Sequence, residues 1–346
     1  MRKPLKSVGR YSTEHAPRRT RAGLTIGLVN NMSGPAVDIT TRQFRSLLLE
    51  AAEGLPVTLK LYAPFAQARH QTARIALAER YLDAEKLWAS DLDGIIVTGT
   101  EPKAASLTDE PCWPFLKRLV EWSEDHVVST IWSCLATQAA VFYLDGIARQ
   151  PFKTKLSGLF DCQTRQDHPL LRGFPSHWTT PHSRYNDLPE SELVARGYRI
   201  LTRSDAAGAD IFLKTRRCRH LFLQGHMEYD SDVLSREYRR DVRRFLLGDC
   251  DRYPELPTGY FPASAAAAFA EFRERAVTAP RPGLLSDFPR NVEPLSHAAP
   301  WRPVATTFYR NWLADLARRT GRAGRSERLT EAPAILRHDP DVSEAV

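Results

Sequence analysis

Residues Val127 to Asp145 read V-V-S-T-I-W-S-C-L-A-T-Q-A-A-V-F-Y-L-D, and where this stretch divides decides the fold. Its first half is β-branched and apolar, the composition of a buried strand. Its second half, from Leu135 to Leu144, is Ala-rich and suits a helix. Cys134 falls at the join. A sharp strand-to-helix turn lifts a side chain out of a sheet and aims the helix N-terminus at it. That favours the thiolate and leaves backbone N–H groups for an oxyanion. A small residue must follow so that the turn can close, and Ala136 fits. The competing reading is a buried structural thiol.

A second stretch, His220 to Asp230, reads H-L-F-L-Q-G-H-M-E-Y-D. Leu221 to Leu223 is a short apolar strand, Gly225 breaks it, and His226-x-Glu228 follows. A cysteine nucleophile needs a base, and the base needs an orienting carboxylate. Cys134, His226 and Glu228 supply all three, with nucleophile and base each following a strand.

Around these stretches the chain alternates short apolar strands with amphipathic helices. Strands are expected at Leu24–Asn30, Val57–Tyr62 and Asp93–Gly99. Helices are expected at Thr41–Ala52, Arg74–Leu87, Trp113–Trp122, Ser231–Leu247 and Phe308–Ala317. A short Ala-rich helix is expected at Ala265–Ala270, with Ser264 as its N-cap. This is the pattern of an α/β fold: a mostly parallel sheet with helices on both faces. Active sites of such folds lie at the carboxyl ends of the strands. Thr98-Gly99-Thr100, Cys134 and His226 all fall there. Lys155–Phe174 and Pro181–Tyr185 read as loops. Tyr198–Thr202 and Ala209–Lys214 read as a small antiparallel extension. Residues 280–304 are Pro-rich and read as extended.

The 346 residues suffice for a sizeable core in one large domain or two. The net charge of +7 resembles a nucleic-acid signal until it is located. Met1 to Ala22 holds seven Lys/Arg against Glu14 alone, which is +6 of the total. The body is nearly neutral, and no nucleic-acid surface is expected. Five cysteines, at 112, 134, 162, 218 and 250, are an odd number without CxxC or metal spacing. That suits a reducing cytosol and no metal site. No apolar segment follows the basic leader as a signal peptide would require. The uncharged run from Val127 to Leu144 just reaches membrane length. Its Ser129, Thr130, Ser133, Thr137 and Gln138 favour strand-turn-helix instead. The expected organisation is a disordered leader at 1–22, an α/β domain at 23–260, an extension packing on it at 261–317 and a polar tail at 318–346.

Further segments carry a family resemblance: D-G-I-I-V-T-G at 93–99, W-P-F-L-K-R-L-V-E-W-S-E-D-H-V at 113–127, K-L-S-G at 155–158, P-H-S-R-Y-N-D at 181–187 and G-H-M-E-Y-D at 225–230. R-D at 240–241 and N-W-L at 311–313 also match. The chain resembles the homoserine O-succinyltransferase family, whose fold is similar to the class I glutamine amidotransferases (flavodoxin-like). The resemblance implies a small α/β portion at the C-terminus.

It also implies transfer of an acyl group, succinyl favoured, from acyl-CoA through a cysteine thioester to homoserine in methionine biosynthesis. Carried over, Cys134 is the nucleophile, His226 the base and Glu228 its partner. Lys155, Ser183 and Arg240 are substrate contacts. Acyl-CoA (succinyl-CoA or acetyl-CoA) is a co-substrate, and no cofactor is bound. The partners are small molecules, homoserine or serine besides the acyl-CoA, with neither nucleic acid nor membrane. A cytoplasmic enzyme is expected, and a homodimer by analogy.

The chain departs from the family pattern in several places: the first strand ends N-N-M-S without the basic pair that follows in the family, the C-terminal tail is longer, Met227 replaces Pro, Leu135 replaces Trp, and Lys103 replaces Gly or Glu at the position tied to acyl choice. A lysine there is expected to attract the carboxylate of a succinyl group. Acetyl transfer, serine as acceptor, and a cysteine hydrolase or amidotransferase-like enzyme with the same triad stay open, as does a binding module without activity.

Overall fold

A computed structural model describes residues 23–65, 75, 77–290, 292 and 299–322. The first half of the chain gives Leu24–Val29 (β1), Ala36–Ala52 (α1), Val57–Ala63 (β2), Leu82–Asp83 (β3), Gly94–Val97 (β4), Trp113–His126 (α2), Ser129–Ser133 (β5) and Leu135–Asp145 (α3). The second gives Gln150–Thr164 (β6), His177–Asp187 (β7), Glu190–Ala195 (α4), Arg199–Ser204 (β8), Gly208–Thr215 (β9), Arg219–Leu223 (β10), Val233–Leu246 (α5), Ala266–Thr278 (α6) and Arg302–Arg319 (α7). Among the described residues the strands make one sheet in the order β3-β2-β1-β4-β5-β10-β9-β8-β6-β7. From β3 to β10 neighbours run parallel. From β10 to β7 they run antiparallel.

Burial explains the parallel half. β1, β4 and β5 are buried along their whole length because helices cover both faces. On one face Phe44, Leu47 and Leu48 of α1 pack with Phe308, Trp312 and Leu316 of α7 over Ile26, Leu28 and Ile131. On the other, Leu116, Leu119 and Val120 of α2 pack with Ala136, Ala139 and Ala140 of α3 over Ile95, Val97 and Trp132. A third cluster lies outside the sheet. Leu234, Tyr238, Val242 and Leu246 stand on one stripe of α5 and meet Phe261, Phe269, Phe272 and Phe288 of the extension.

Several expectations need correction. Lys155–Thr164 and Pro181–Tyr185 are not loops: they lie within the long strands β6 and β7, while 165–174 is loop with a 3-10 turn at Pro169–Leu171. Pro181 reads as a strand breaker, but β7 is the sheet's edge, where no neighbour needs its missing N–H. The extension after 260 is helical, not α/β, among the described residues. Residues 282–287 form a 3-10 turn inside the stretch read as extended, and α7 begins at Arg302. The helix expected at Arg74–Leu87 begins outside the described residues. Its second half is instead β3 and a 3-10 turn at Ala84–Ala89. Ser264 does not cap α6, whose N-cap is Ala265 without a side-chain bond. Arg318 and Arg319, placed in the tail, instead close α7 and pair with Asp315, and Arg322 pairs with Asp93. Residues 1–22 and 323–346 lie outside the described residues.

Candidate active site

Register brings the three site-bearing strands side by side. β4 pairs with β5 and β5 with β10, and their ends are level: Val97 faces Trp132, and Ser133 faces Leu223. The residues just past these ends, Thr98-Gly99-Thr100, Cys134 and Gly225-His226, therefore emerge at one edge.

Cys134 is the elbow between β5 and α3. Its φ is 52° and its ψ −114°, and only Glu53 shares a positive φ among the described non-glycine residues. Such a conformation costs about 1–3 kcal/mol and persists only where the surroundings enforce it. Here the Cys134 N–H donates to Leu223 O at 2.8 Å. Thr137 Oγ1 donates to Trp132 O at 2.7 Å and contacts Leu223 O at 3.1 Å. The Cys134 amide is thus committed to β10. The next amide, Leu135 N–H, opens α3 with no carbonyl a turn behind it. Gly99 is a glycine because of this elbow. A Cβ there would stand 2.8 Å from Leu135 N and 2.9 Å from Ser133 O.

His226 and Glu228 follow β10. The His226 amide donates to Pro181 O at 2.8 Å, so edge strand β7 fixes the loop that carries the base. His226 Nδ1 lies 2.8 Å from Glu228 Oε1, and its ring stacks on Tyr229 with centroids 4.3 Å apart. Nδ1 bonded to a carboxylate leaves Nε2 for the nucleophile. Burial works to lower the imidazole's pKa, but the Glu228 charge and the hydrogen bond with the Cys134 sulfur outweigh it. The result lies well above the ordinary histidine value. Met227, between base and carboxylate, is buried in the core beneath α7. Trp301 Nε1 at the start of α7 donates to Tyr229 O at 2.9 Å.

The triad opens on a cavity of about 440 Å³. Lys155, Ser183 and Arg240 line it with Cys134, His226 and Glu228. Lys155 stands in the irregular stretch of β6, Ser183 in β7 and Arg240 on α5. Their hub is Glu237. It accepts from Lys155 Nζ at 3.2 Å, from Tyr229 OH at 3.1 Å and from Ser183 Oγ. Burial would raise the Glu237 pKa, but Lys155 and Arg240 bring it down to about 2. Lys155 also meets Asp241 at 3.0 Å. Burial pulls its pKa down, and the charges of Glu237 and Asp241 raise it overall. Arg240 Nε donates to Asp241 Oδ1 at 2.8 Å. Arg244 Nη2 donates to Glu101 Oε2 at 2.9 Å, and Nη1 holds Oε1 in parallel.

Sequence reasoning did not find Glu237, Glu101 or Arg244. Glu237, Arg240, Asp241 and Arg244 fall at i, i+3, i+4 and i+7, which is one helix face. A charged stripe of this kind reads as a solvated face; here it turns toward the cavity. Lys103 is the opposite case. It is exposed and is not among the residues lining the cavity. Glu110, buried against Arg149 at 2.7 Å, accepts the Lys103 amide at 2.9 Å and pins the loop with the lysine outside. The structure does not place Lys103 on the wall of the cavity that holds Cys134.

Beneath His226 lies a buried cluster of Cys162, His182 and Asp210, with ligand-type atoms within 4.8 Å of one another. Burial raises the Asp210 pKa to about 6 and lowers that of His182. Asp210 accepts from Thr202 Oγ1 at 3.1 Å. The cluster ties β6, β7 and β9 together under Gly225, where a Cβ would come within 2.7 Å of Asp210.

An elbow cysteine and a histidine–carboxylate pair thus stand together at the carboxyl ends of parallel strands in an α/β fold. The family model described as homoserine O-succinyltransferase matches residues 6–321. The homoserine O-succinyltransferase of Methylorubrum extorquens is 44% identical over 298 residues, covering 86% of this chain and 88% of that protein. That of Rhodopseudomonas palustris is 42% identical, covering 87% and 91%. A solved glutamine amido transferase from Methylobacillus flagellatus is similar at 16% identity and a TM-score of 0.46, covering 84% of this chain and 94% of its own. The chain belongs to the homoserine O-succinyltransferase family. Among the described residues, no helix is long and apolar enough to cross a membrane.

Proposed function

We propose that this chain transfers a succinyl group from succinyl-CoA to the hydroxyl of homoserine, in methionine biosynthesis, through a thioester on Cys134. The observation that supports this most is the strained elbow cysteine beside the buried His226–Glu228 pair, in a cavity lined by Lys155, Arg236, Arg240 and Arg244. The relatives carry the same activity in their names.

In the first half-reaction the Cys134 thiolate attacks the carbonyl of succinyl-CoA. The oxyanion meets the Leu135 N–H, the carbon–sulfur bond to CoA breaks, and the departing thiolate takes the proton of the imidazolium. In the second half, His226 takes the proton of the homoserine hydroxyl. The oxygen attacks the enzyme thioester, and Cys134 leaves as thiolate. Glu228 holds the imidazole by Nδ1 and offsets its positive charge throughout. Arg240 receives the acceptor's α-carboxylate, a group that a guanidinium fork suits. Lys155 and Ser183 make further substrate contacts with Glu237 between them. The chain's own residues supply this chemistry, without a metal or bound cofactor, and the reaction belongs in the cytosol.

The test is free-thiol release from succinyl-CoA, with and without L-homoserine. Release that requires both substrates, with O-succinylhomoserine as product, supports the reading. Equal release without an acceptor would mark a thioester hydrolase, and faster release from acetyl-CoA would mark an acetyltransferase.

A further inference from the structure

Five Lys and Arg side chains line the cavity, and they are not equally committed. Arg184 is buried and held by Asp187 at 2.7 Å. Lys155 is held by two carboxylates, Glu237 and Asp241, and is largely buried. Arg240 is tied to its sequence neighbour Asp241, and Arg236 to Asp232 one turn away. Arg244 differs. Its guanidinium grips Glu101 with two parallel bonds, and Glu101 comes from a loop 143 residues earlier. Both partners line the same cavity as Cys134.

That loop is the one that touches the nucleophile. Gly99 stands against Leu135 N and Cys134 Cβ, and Glu101 is two residues further on. Two residues span at most about 7 Å, so the Glu101 backbone cannot stray far from the elbow. The distal carboxylate of a succinyl group lies three carbon–carbon bonds, about 4 Å, from the thioester carbonyl. A carboxylate of this chain therefore already occupies a guanidinium fork near where the acyl tail of a Cys134 thioester would end.

We infer that Arg244 is the receptor for the distal carboxylate of the acyl group, and that Glu101 holds its place until the donor arrives. This rests on the acyl-transfer reading and adds which residue selects a dicarboxylic acyl group. The exchange is energetically plain. Both side chains are more than a third exposed, at 38% and 37%, so solvent screens the pair and its hold is weak. Replacing one carboxylate by another in the same fork keeps both hydrogen bonds. The released Glu101 stays in the field of Arg240 and Lys155, both of which already act on it. A neutral acyl tail offers no such exchange and leaves the pair closed. The role expected of Lys103 thus passes to a residue on the far wall of the cavity.

The experiment compares acyl-enzyme formation on the full chain with succinyl-CoA and with butyryl-CoA, its isostere in chain length without the carboxylate. Initial acylation rates at sub-saturating donor are followed by mass spectrometry for wild type, Arg244→Gln, Arg244→Lys and Glu101→Gln. Melting temperatures verify that each variant is folded. The expected result is a succinyl-to-butyryl ratio that falls at least about tenfold, or 1.4 kcal/mol, in Arg244→Gln. It should recover in part in Arg244→Lys and hold or rise in Glu101→Gln. A ratio unchanged in Arg244→Gln, or one that falls equally in Glu101→Gln, would overturn the assignment and leave the pair a structural link. Wild-type protein that forms no thioester with either donor would overturn the acyl-transfer reading itself.

Discussion

The two halves of the sheet divide the work. The parallel half, β3 to β10, presents Thr98-Gly99-Thr100, Cys134 and His226 at the ends of three adjacent strands. The antiparallel half, β9 to β7, carries Lys155 and Ser183 and anchors the His226 loop through Pro181. In the first half all strands but β3 were legible from residues alone; in the second β8 and β9 were, and β6 and β7 were not. Strands buried on both faces are rich in apolar and β-branched residues, so Leu24–Val29 and the run around Ile131 and Trp132 declare themselves. β6 is exposed or half-buried on most of its length, and β6 and β7 contain Pro151, Gly158 and Pro181, which local propensity reads as loop. The chemistry divides differently. Cys134 sits where backbone geometry alone creates a reactive position, so a strand-turn-helix pattern can find it. Lys155, Ser183 and Arg240 matter only through what faces them across the cavity, and resemblance rather than pattern picked them out.

The same contrast runs through α5. Leu234, Tyr238, Val242 and Leu246 announce a buried stripe by spacing. Glu237, Arg240, Asp241 and Arg244 form an equally regular stripe whose meaning spacing cannot supply. It becomes a binding wall only because β6, β7 and the loop after β4 close over it.

Substitutions can break or sharpen this division. The largest effect is expected in the parallel half. Cys134→Ala should remove turnover by a factor of at least about 10⁴, since no other group can carry the acyl chain. Wild-type-like rates in that variant would return the cysteine to a structural role.

Next comes Glu228→Gln, which should cost roughly a hundredfold in kcat, about 2.7 kcal/mol. It also has a pH signature. The Glu228 charge is the strongest influence raising the His226 pKa, ahead of the Cys134 sulfur, against the downward pull of burial. Without that charge the imidazolium loses its proton at lower pH. The alkaline limb of the acylation profile should therefore move toward acid relative to wild type. A profile that keeps its position would show that the carboxylate is structural.

A smaller and more selective loss is expected at the cavity wall that α5 forms. Arg240→Lys keeps the charge and loses the fork, so the KM for homoserine should rise about tenfold while acylation by donor alone is spared. Impaired acylation with a normal acceptor KM would move Arg240 to the donor side. The smallest effect belongs to Lys103→Glu. Because Lys103 lies outside the cavity, donor selectivity should change by less than about twofold, a few tenths of a kcal/mol. A larger change would mean that the loop after β4 swings inward during the reaction.

The central claim is that Cys134, at the end of β5, carries the acyl group between two substrates. Intact-protein mass spectrometry after mixing with succinyl-CoA, without acceptor, tests it most directly. Cys250, the exposed free cysteine, is replaced by Ser beforehand to remove a bystander thiol. The account predicts one added succinyl group per chain, located on Cys134, absent in Cys134→Ala and discharged when homoserine is added. Succinylation that survives Cys134→Ala, or CoA released to homoserine with no adduct on the protein at any time, would contradict it.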